Sequence, residues 1–472
     1  MTARSGRGGE GTVDLRAVES RLLRYAPLFL LVSLVLHVAA SLLLDQTQLP
    51  SLQSLRGNAP QLISGDLYEF TSWNPDIAAF TTPFTAPPFA AVLLLPLAVV
   101  PWGVLRLVWQ GVSLVCLWWI VSRAMRVFAM SRAPGGVIGA SAWLTWRRRA
   151  LVATALVLWL EPVRTSLVEG HLSLPLAAVL VTAVTTGRRV LGGVGVGLAA
   201  GIKLGAAVAG MYFLATRRFT AAAWAFGAFL ATIGIGFFVS AQQSSQFWTT
   251  IAGRGERIDP VASVDNQSLR GALSRTLGYD VGTSWPWLLA AVVTAVLAGR
   301  ALYATIRKGD VLGAVVTVQL LGLLIAPAAW SHEWVWVVPA LVWLVCHPMR
   351  ARPLLASTTV LWTLLMTSYL VHQLQALEPG KVDFSRPWPL AALGWAYPVA
   401  ALLTLLAVAA GARAAPKVPP VPPLPPGSGQ ANDIWLRTRV LRGRVSSVLK
   451  PQNRLGRRSG RAESPSVENA EG

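Results

Sequence analysis

Residues 25–44 read YAPLFLLVSLVLHVAASLLL, without one Asp, Glu, Lys or Arg, and this run decides the fold class. At 1.5 Å per helical residue, about 20 apolar residues cross the roughly 30 Å hydrocarbon core of a bilayer. No small-residue cleavage site follows, so the run reads as an anchor and not as a removable signal peptide. Outward from it, further apolar runs are centred near 86–101, 103–122, 149–161, 172–187, 190–216, 219–240, 286–305, 311–329, 334–346, 353–372 and 390–412. The composition agrees, at 54% hydrophobic and 13% charged, where soluble domains carry about a quarter charged residues. These numbers exclude a cytosolic enzyme, a secreted disulfide scaffold and a nucleic-acid module. Cys116 and Cys346 both lie inside apolar runs and read as small buried hydrophobes.

The formal net charge of +20 follows the same logic. Lys and Arg fall in short tracts between apolar runs: 123–149, 188–189, 217–218, 307–308, 350–352 and the C-terminal tail. By the positive-inside rule these tracts are cytoplasmic, and no nucleic-acid partner is expected. Most acidic residues fall in the alternate set, 45–85, 161–171, 241–285, 330–333 and 373–389, which is expected on the outer side. The reading is an all-α polytopic bundle of about 11 to 13 transmembrane helices with a long first outer loop. Residues 1–23 are read as a disordered cytoplasmic N-terminus, 24–413 as the transmembrane domain, and 414–472 as a Pro-rich, basic, disordered cytoplasmic tail. One parity conflict arises: if 86–101 and 103–122 both span, loops 45–85 and 123–148 share a side, so one run is expected to be partial. The Gly-rich run 190–216, interrupted by Lys203, predicts one broken helix or two short ones.

Ionisable groups near hydrocarbon are expensive, so their gathering at one face points to a site. Four outer stretches stand out. The first is Gly65-Asp66-Leu67-Tyr68-Glu69, followed by Pro87-Pro88-Phe89 at a helix entry, where prolines cost no hydrogen bond. The second is Glu161-Pro162-Val163-Arg164 with Glu169-Gly170-His171-Leu172-Ser173, acids and bases between two apolar runs. The third is Arg254-Gly255-Glu256-Arg257, then Asp265-Asn266-Gln267-Ser268-Leu269-Arg270-Gly271. The fourth is Trp330-Ser331-His332-Glu333-Trp334, where interfacial aromatics explain the tryptophans but not the His-Glu pair between them. No His/Cys/Asp set has metal-ligand spacing, and no nucleophile stands at a hydrolase elbow.

In this order the stretches resemble the actinobacterial polyprenol-phosphate-mannose-dependent α-1,2-mannosyltransferases, glycosyltransferase family 87 of the GT-C superfamily. The family's L-x-x-G-x-L-Y and F-T-Y-P-P-F-A-A are similar to Leu62–Tyr68 and Phe84–Ala91. Its E-P-V-R and G-Q-x-N are similar to Glu161–Arg164 and Gly170–Ser173. Its glycine-rich I-K-L-T-P segment is similar to Gly193–Gly205, its N-Q-S-L-x-G to Asn266–Gly271, and its W-x-H-H-W-V-W to Trp330–Trp336. The resemblance covers roughly residues 25–412. Four positions depart from the pattern: Ser51 stands where the family has its Asp, His171 and Ser173 replace Gln and Asn, Glu333 replaces the second His, and Lys203-Leu204 lacks the following Thr-Pro.

The resemblance implies a GT-C-type bundle and an outward-facing active site in the cell membrane. It implies inverting transfer of mannose from polyprenyl-phosphate mannose to a cell-envelope glycolipid or lipoglycan, in an α-(1,2) linkage. A phosphate leaving group needs charge stabilisation more than a proton, and Arg164, Lys203, Arg254, Arg257, Arg270 and His332 are the available supply. The acceptor hydroxyl needs a carboxylate base. With Ser51 at the family position, Asp66 is placed ahead of Asp45, and Glu69 is a third choice. His171, Asn266, Gln267 and Glu333 complete the expected substrate-binding set. No cofactor or metal is expected. The expected partners are the lipid-phosphate donor, the glycolipid acceptor and membrane lipids. Three other readings stay open: a silent partner in envelope assembly, transfer of another polyprenyl-phosphate sugar such as arabinofuranose, and a flippase, for which no internal repeat speaks.

Overall fold

The computed structural model describes residues 23–65, 67–68, 84–132, 140–252, 261–282, 284–347, 352–377, 384 and 386–412. Every regular element among them is a helix, and one isolated antiparallel bridge, Asn266 to Trp330, is the only extended pairing. The expected all-α polytopic class is therefore the observed one. The deciding run forms helix Ala26–Leu43, with Pro27 in its first turn, where the missing N–H has no intrahelical partner to lose.

Four described helices are each long and apolar enough to cross a membrane: Ala26–Leu43, Trp102–Ser131, Phe219–Val239 and Trp285–Arg307. Two bent pairs raise the number to six, Trp143–Val157 with Glu161–Glu169 and Pro353–Ser368 with Leu370–Leu377. Seven further apolar helices have 10–17 residues. Outward apolar faces mark the lipid-facing side. Leu107 is 77% and Phe238 92% exposed, an arrangement that hydrocarbon accepts and water would not.

Three local outcomes differ from, or sharpen, the sequence reading. Pro88–Val99 is one of the short apolar helices, whereas the 103–122 run lies within the long helix Trp102–Arg132. The tract 123–149 is not a loop throughout, because helix Trp102–Arg132 runs into it and helix Ala140–Val157 starts inside it. A 31-residue helix is about 46 Å long, longer than the roughly 30 Å hydrocarbon core. Residues 161–169, expected as a loop, form a helix bent 74° from the preceding one.

The 190–216 run breaks at Lys203, whose extended backbone (φ −146°, ψ 115°) separates helix Arg189–Ile202 from the 3-10 turn Leu204–Ala209. The glycines before the break form a stripe. A Cβ on Gly193 or Gly197 would lie 2.4 or 2.3 Å from the Ala221 or Ala225 carbonyl oxygen of helix Phe219–Val239. Two backbones thus touch directly, the small-residue packing that replaces hydrophobic drive in a bilayer.

The described part of the segment after the first long helix folds back on the short helix Pro88–Leu94 and the turn that continues it. The Arg56 guanidinium, on helix Pro50–Asn58, donates to the carbonyls of Leu97, Ala98 and Val100. The Tyr68 hydroxyl donates to the Ala86 carbonyl at 2.8 Å, and its ring packs on Phe84 and Phe247. The G-x-L-Y and P-P landmarks are two halves of one anchor.

Candidate active site

Two backbone segments form the floor of the site, and the Asn266–Gly271 motif builds it. The Asn266 side-chain oxygen accepts from its own turn, at Ser268 N, and from Ala329 N, each at 3.1 Å. Its amide donates to the Val261 carbonyl. Gln267 N donates to the Ala329 carbonyl at 2.8 Å, and its side chain spans from the Val264 carbonyl to Tyr397 N. Ser268 caps helix Leu269–Leu277 by accepting from Gly271 N, the usual work of an N-cap serine. Gly271 has no room for a side chain, since a Cβ there would lie 2.5 Å from the Asn266 carbonyl oxygen. Asn266 and Gln267, expected to touch substrate, are fully buried, and these partners occupy them. They tie segment 261–268 to segment 326–331.

That tie brings the chemistry together. His332 enters on the 3-10 turn Ser331–Trp336, and His171 enters on the bend between helices Glu161–Glu169 and Ser173–Thr185. Their rings stack with centroids 3.4 Å apart and planes 13° from parallel. The bend depends on Gly170, at φ +77°, in the left-handed region that glycine tolerates. A Cβ there would also lie 2.8 Å from the Leu52 Cβ, so helix Pro50–Asn58 sits directly over this corner. His171 Nε2 and Glu169 Oε2 are 2.7 Å apart. The Ser166 hydroxyl donates to the His332 carbonyl at 3.2 Å, which fixes one histidine segment against the other.

Asp265 is the residue that the sequence reading quoted within a motif but did not assign. It lies between Val264 and the buried Asn266, with its carboxylate hydrogen-bonded by the Ser331 side chain and backbone. Glu169 and His171 are near enough for their charges to act on it. Burial pushes its pKa up to about 6, with the Ser331 hydrogen bonds opposing that rise. Its place immediately before Asn-Gln-Ser was the available signal. On the other flank Lys203, at the helix break, forms an ion pair with Glu333, and Lys203 and His171 both act electrostatically on His332. Five residues from four motifs thus face one another: His171, His332, Asp265, Lys203 and Glu333, with Glu169 beside them.

Other expected site residues lie elsewhere. Arg164 is buried against helix Ala26–Leu43, donating to the Gln46 side chain at 2.6 Å with His37 Nδ1 at 3.5 Å, and lying over the Trp159 ring. Arg270 is held by both carboxylate oxygens of Asp280, at 2.9 and 2.6 Å, and this pairing keeps the Asp280 carboxyl below its usual pKa. Asp45 follows helix Ala26–Leu43 in a left-handed conformation, φ +51°, exposed and without a side-chain hydrogen bond or ion pair among the described residues. Asp66, Glu69, Arg254 and Arg257 lie outside the described residues.

Two buried charges unassigned by the sequence reading support this floor. Arg275 donates to the carbonyls of Ser263, Asn266 and Gly394 at 2.6, 2.9 and 2.8 Å. Glu161 accepts from His372 N and from the Tyr397 hydroxyl, each at 2.8 Å. Among the described residues no group of three or more His, Cys, Asp or Glu side chains is arranged to hold a metal ion.

Comparison with known proteins gives a consistent set of relatives. The family model of Glycosyltransferase family 87 matches residues 84–327. The chain is 36% identical to a polyprenol-phosphate-mannose-dependent alpha-(1-2)-phosphatidylinositol pentamannoside mannosyltransferase of Mycolicibacterium smegmatis, over 82% of this chain and 91% of the relative. It is 37% identical to the protein of the same description from Mycobacterium tuberculosis, over 72% of this chain and 75% of that one. A phosphatidylinositol mannoside mannosyltransferase of Mycobacterium tuberculosis is 31% identical over 55% of this chain and 61% of its own length. No solved structure matches.

Proposed function

The chain belongs to glycosyltransferase family 87 and is a multi-pass membrane glycosyltransferase; from that premise we propose that it transfers mannose from polyprenyl-phosphate mannose to a hydroxyl of a phosphatidylinositol mannoside, forming an α-(1,2) linkage with inversion. The donor and acceptor are those in the names of the relatives. The observation that carries the reading is the convergence of His171, His332, Asp265, Lys203 and Glu333 from separate motifs.

In this reading the acceptor hydroxyl oxygen attacks the anomeric carbon while its proton passes to Asp265. The bond from that carbon to the phosphate oxygen breaks, and the electron pair leaves with the lipid phosphate. Lys203 and His332 stabilise the charge that develops there, the service that preorganised donors and cations provide. Stacking on His171 and the Ser166 hydrogen bond fix His332 before substrate arrives. Asp66, which lies outside the described residues, is the alternative base and is tested beside Asp265.

The test is transfer of radiolabelled mannose from polyprenyl-phosphate mannose to a phosphatidylinositol mannoside extract by membranes containing the full chain. Wild type should form a labelled glycolipid that α-mannosidase degrades. His332→Ala should lose about 10²–10³ in rate, the scale of one removed oxyanion donor. No transfer from any polyprenyl-phosphate sugar by wild type would sink the reading.

We also propose that this cluster faces the outer side and that both termini are cytoplasmic, on the charge asymmetry of the loops. Reporters fused after Arg218 and after Arg275 bracket helix Phe219–Val239 and should report opposite sides. The same side for both would overturn the orientation.

A further inference from the structure

We propose that a cavity at the basic end of the bundle, remote from the histidine pair, binds the phosphate headgroup of a membrane lipid. The cavity has a volume of about 220 Å³, where a single ordered water needs roughly 10–15 Å³ on the same measure. It lies between the end of helix Trp102–Arg132 and the start of helix Ala140–Val157, and Trp118, Trp119, Arg123, Arg126, Trp143 and Arg147 line it.

Its position separates it from the site above. On helix Trp102–Arg132, the Gln110 amide donates to the Leu167 carbonyl, close to His171. Arg126 is sixteen residues further along, or about 24 Å at 1.5 Å per residue. Helix Ser173–Thr185 gives the same sense: it starts next to His171 and ends at Thr185, where Arg123 is bound. The cavity and the histidine pair therefore lie near opposite ends of the same helices.

The cavity's chemistry is that of an anionic amphiphile. Arg123 donates to the Thr185 hydroxyl at 2.8 Å and to its carbonyl at 3.1 Å, which orients the guanidinium. The Arg126 guanidinium sits over the Trp143 ring, 5.2 Å from its centre. No acidic residue occurs from 123 to 149, and among the described residues neither Arg123, Arg126 nor Arg147 has a carboxylate within ion-pair distance. Three uncompensated guanidinium groups around one void call for an anion, and the planar fork of arginine fits phosphate oxygens. The tryptophans supply an apolar wall that a free inorganic ion would not use but a lipid chain at a membrane interface would. Snorkelling arginines at a membrane boundary need no cavity; these line one. The proposal rests on the membrane reading alone and stands whether or not mannose is the sugar.

The experiment is native mass spectrometry of the full-length protein in detergent, titrated with four lipids. Undecaprenyl monophosphate and dioleoyl-phosphatidylglycerol carry the phosphate as a single-chain monoester and a two-chain diester. Undecaprenol and dioleoylglycerol are their phosphate-free counterparts. The wild type should retain at least one phosphate lipid tenfold better than its phosphate-free counterpart, and which one it retains identifies the source. Arg123→Gln/Arg126→Gln/Arg147→Gln should lower that retention at least tenfold, while Arg188→Gln/Arg189→Gln, a comparable charge loss in another basic tract, should leave it intact. If the triple variant does not fold, Arg126→Gln alone is measured, and a threefold drop is expected. Equal retention of the phosphate-free lipids, unchanged retention in the Arg126→Gln protein, or an equal loss in the Arg188/Arg189 variant would overturn the proposal.

Discussion

The Asp265→Asn protein should turn over about 10²–10⁴-fold more slowly than wild type, the range a positioned general base contributes. Asn keeps the size of Asp and can still bond the Ser331 hydroxyl, so the fold and donor binding should survive. Rate and affinity then separate, with kcat collapsing while KM for the lipid donor changes little. A pH profile adds a second readout. The base must be unprotonated to accept the acceptor's proton, and Asp265 is raised to about 6 by burial. Activity of the wild type should therefore be complete above that value and fall as pH drops through about 6. Asp66→Asn, run in parallel, decides between the two carboxylates. Abolished transfer in that protein with full activity in Asp265→Asn would place the base in the first outer loop.

Arg275→Met should destabilise the protein and silence it together. Arg275 is 2% exposed, and its guanidinium bonds three carbonyls, two of them in the segment that carries Asp265 and one at Gly394. Methionine fills similar space but donates nothing. The Ser263 carbonyl keeps Asn266 N as a donor, while the Asn266 and Gly394 carbonyls lose theirs; at about 1–3 kcal/mol for each such carbonyl, a loss of at least about 2 kcal/mol is expected. Arg275→Lys should rescue little, because a single ammonium cannot reproduce the planar fork across three acceptors. Thermal unfolding in detergent and the transfer assay together make the check. A melting temperature equal to that of wild type would refute the anchoring role, whatever happened to activity.

These two residues show where sequence reading stopped. Asp265 is adjacent to a motif and Arg275 lies four residues beyond Gly271, yet neither carries a local mark of its role. An aspartate in an outer loop reads as solvated, and an arginine on a short helix reads as surface. Both readings fail because segments 261–268, 326–331 and 394 meet in space. Asn266 and Gln267 show the reverse case. Their motif marks them strongly, and in the structure they join the segments that carry the chemistry.

The sequence by itself determined the membrane class, the helical architecture, the family and the stretches between apolar runs that hold the ionisable residues. These follow from local quantities: the length of apolar runs, the placement of charges between them, and short spacings such as Gly193 to Gly197. Only the tertiary structure decided that His171 stacks on His332, that Lys203 meets Glu333, that Arg164 turns instead to Gln46, and that 161–169 is a bent helix and not a loop. Those outcomes depend on which backbones approach each other. That choice is made by glycine contacts, buried carbonyls and a helix break summed over distant segments, and no window along the chain contains them together.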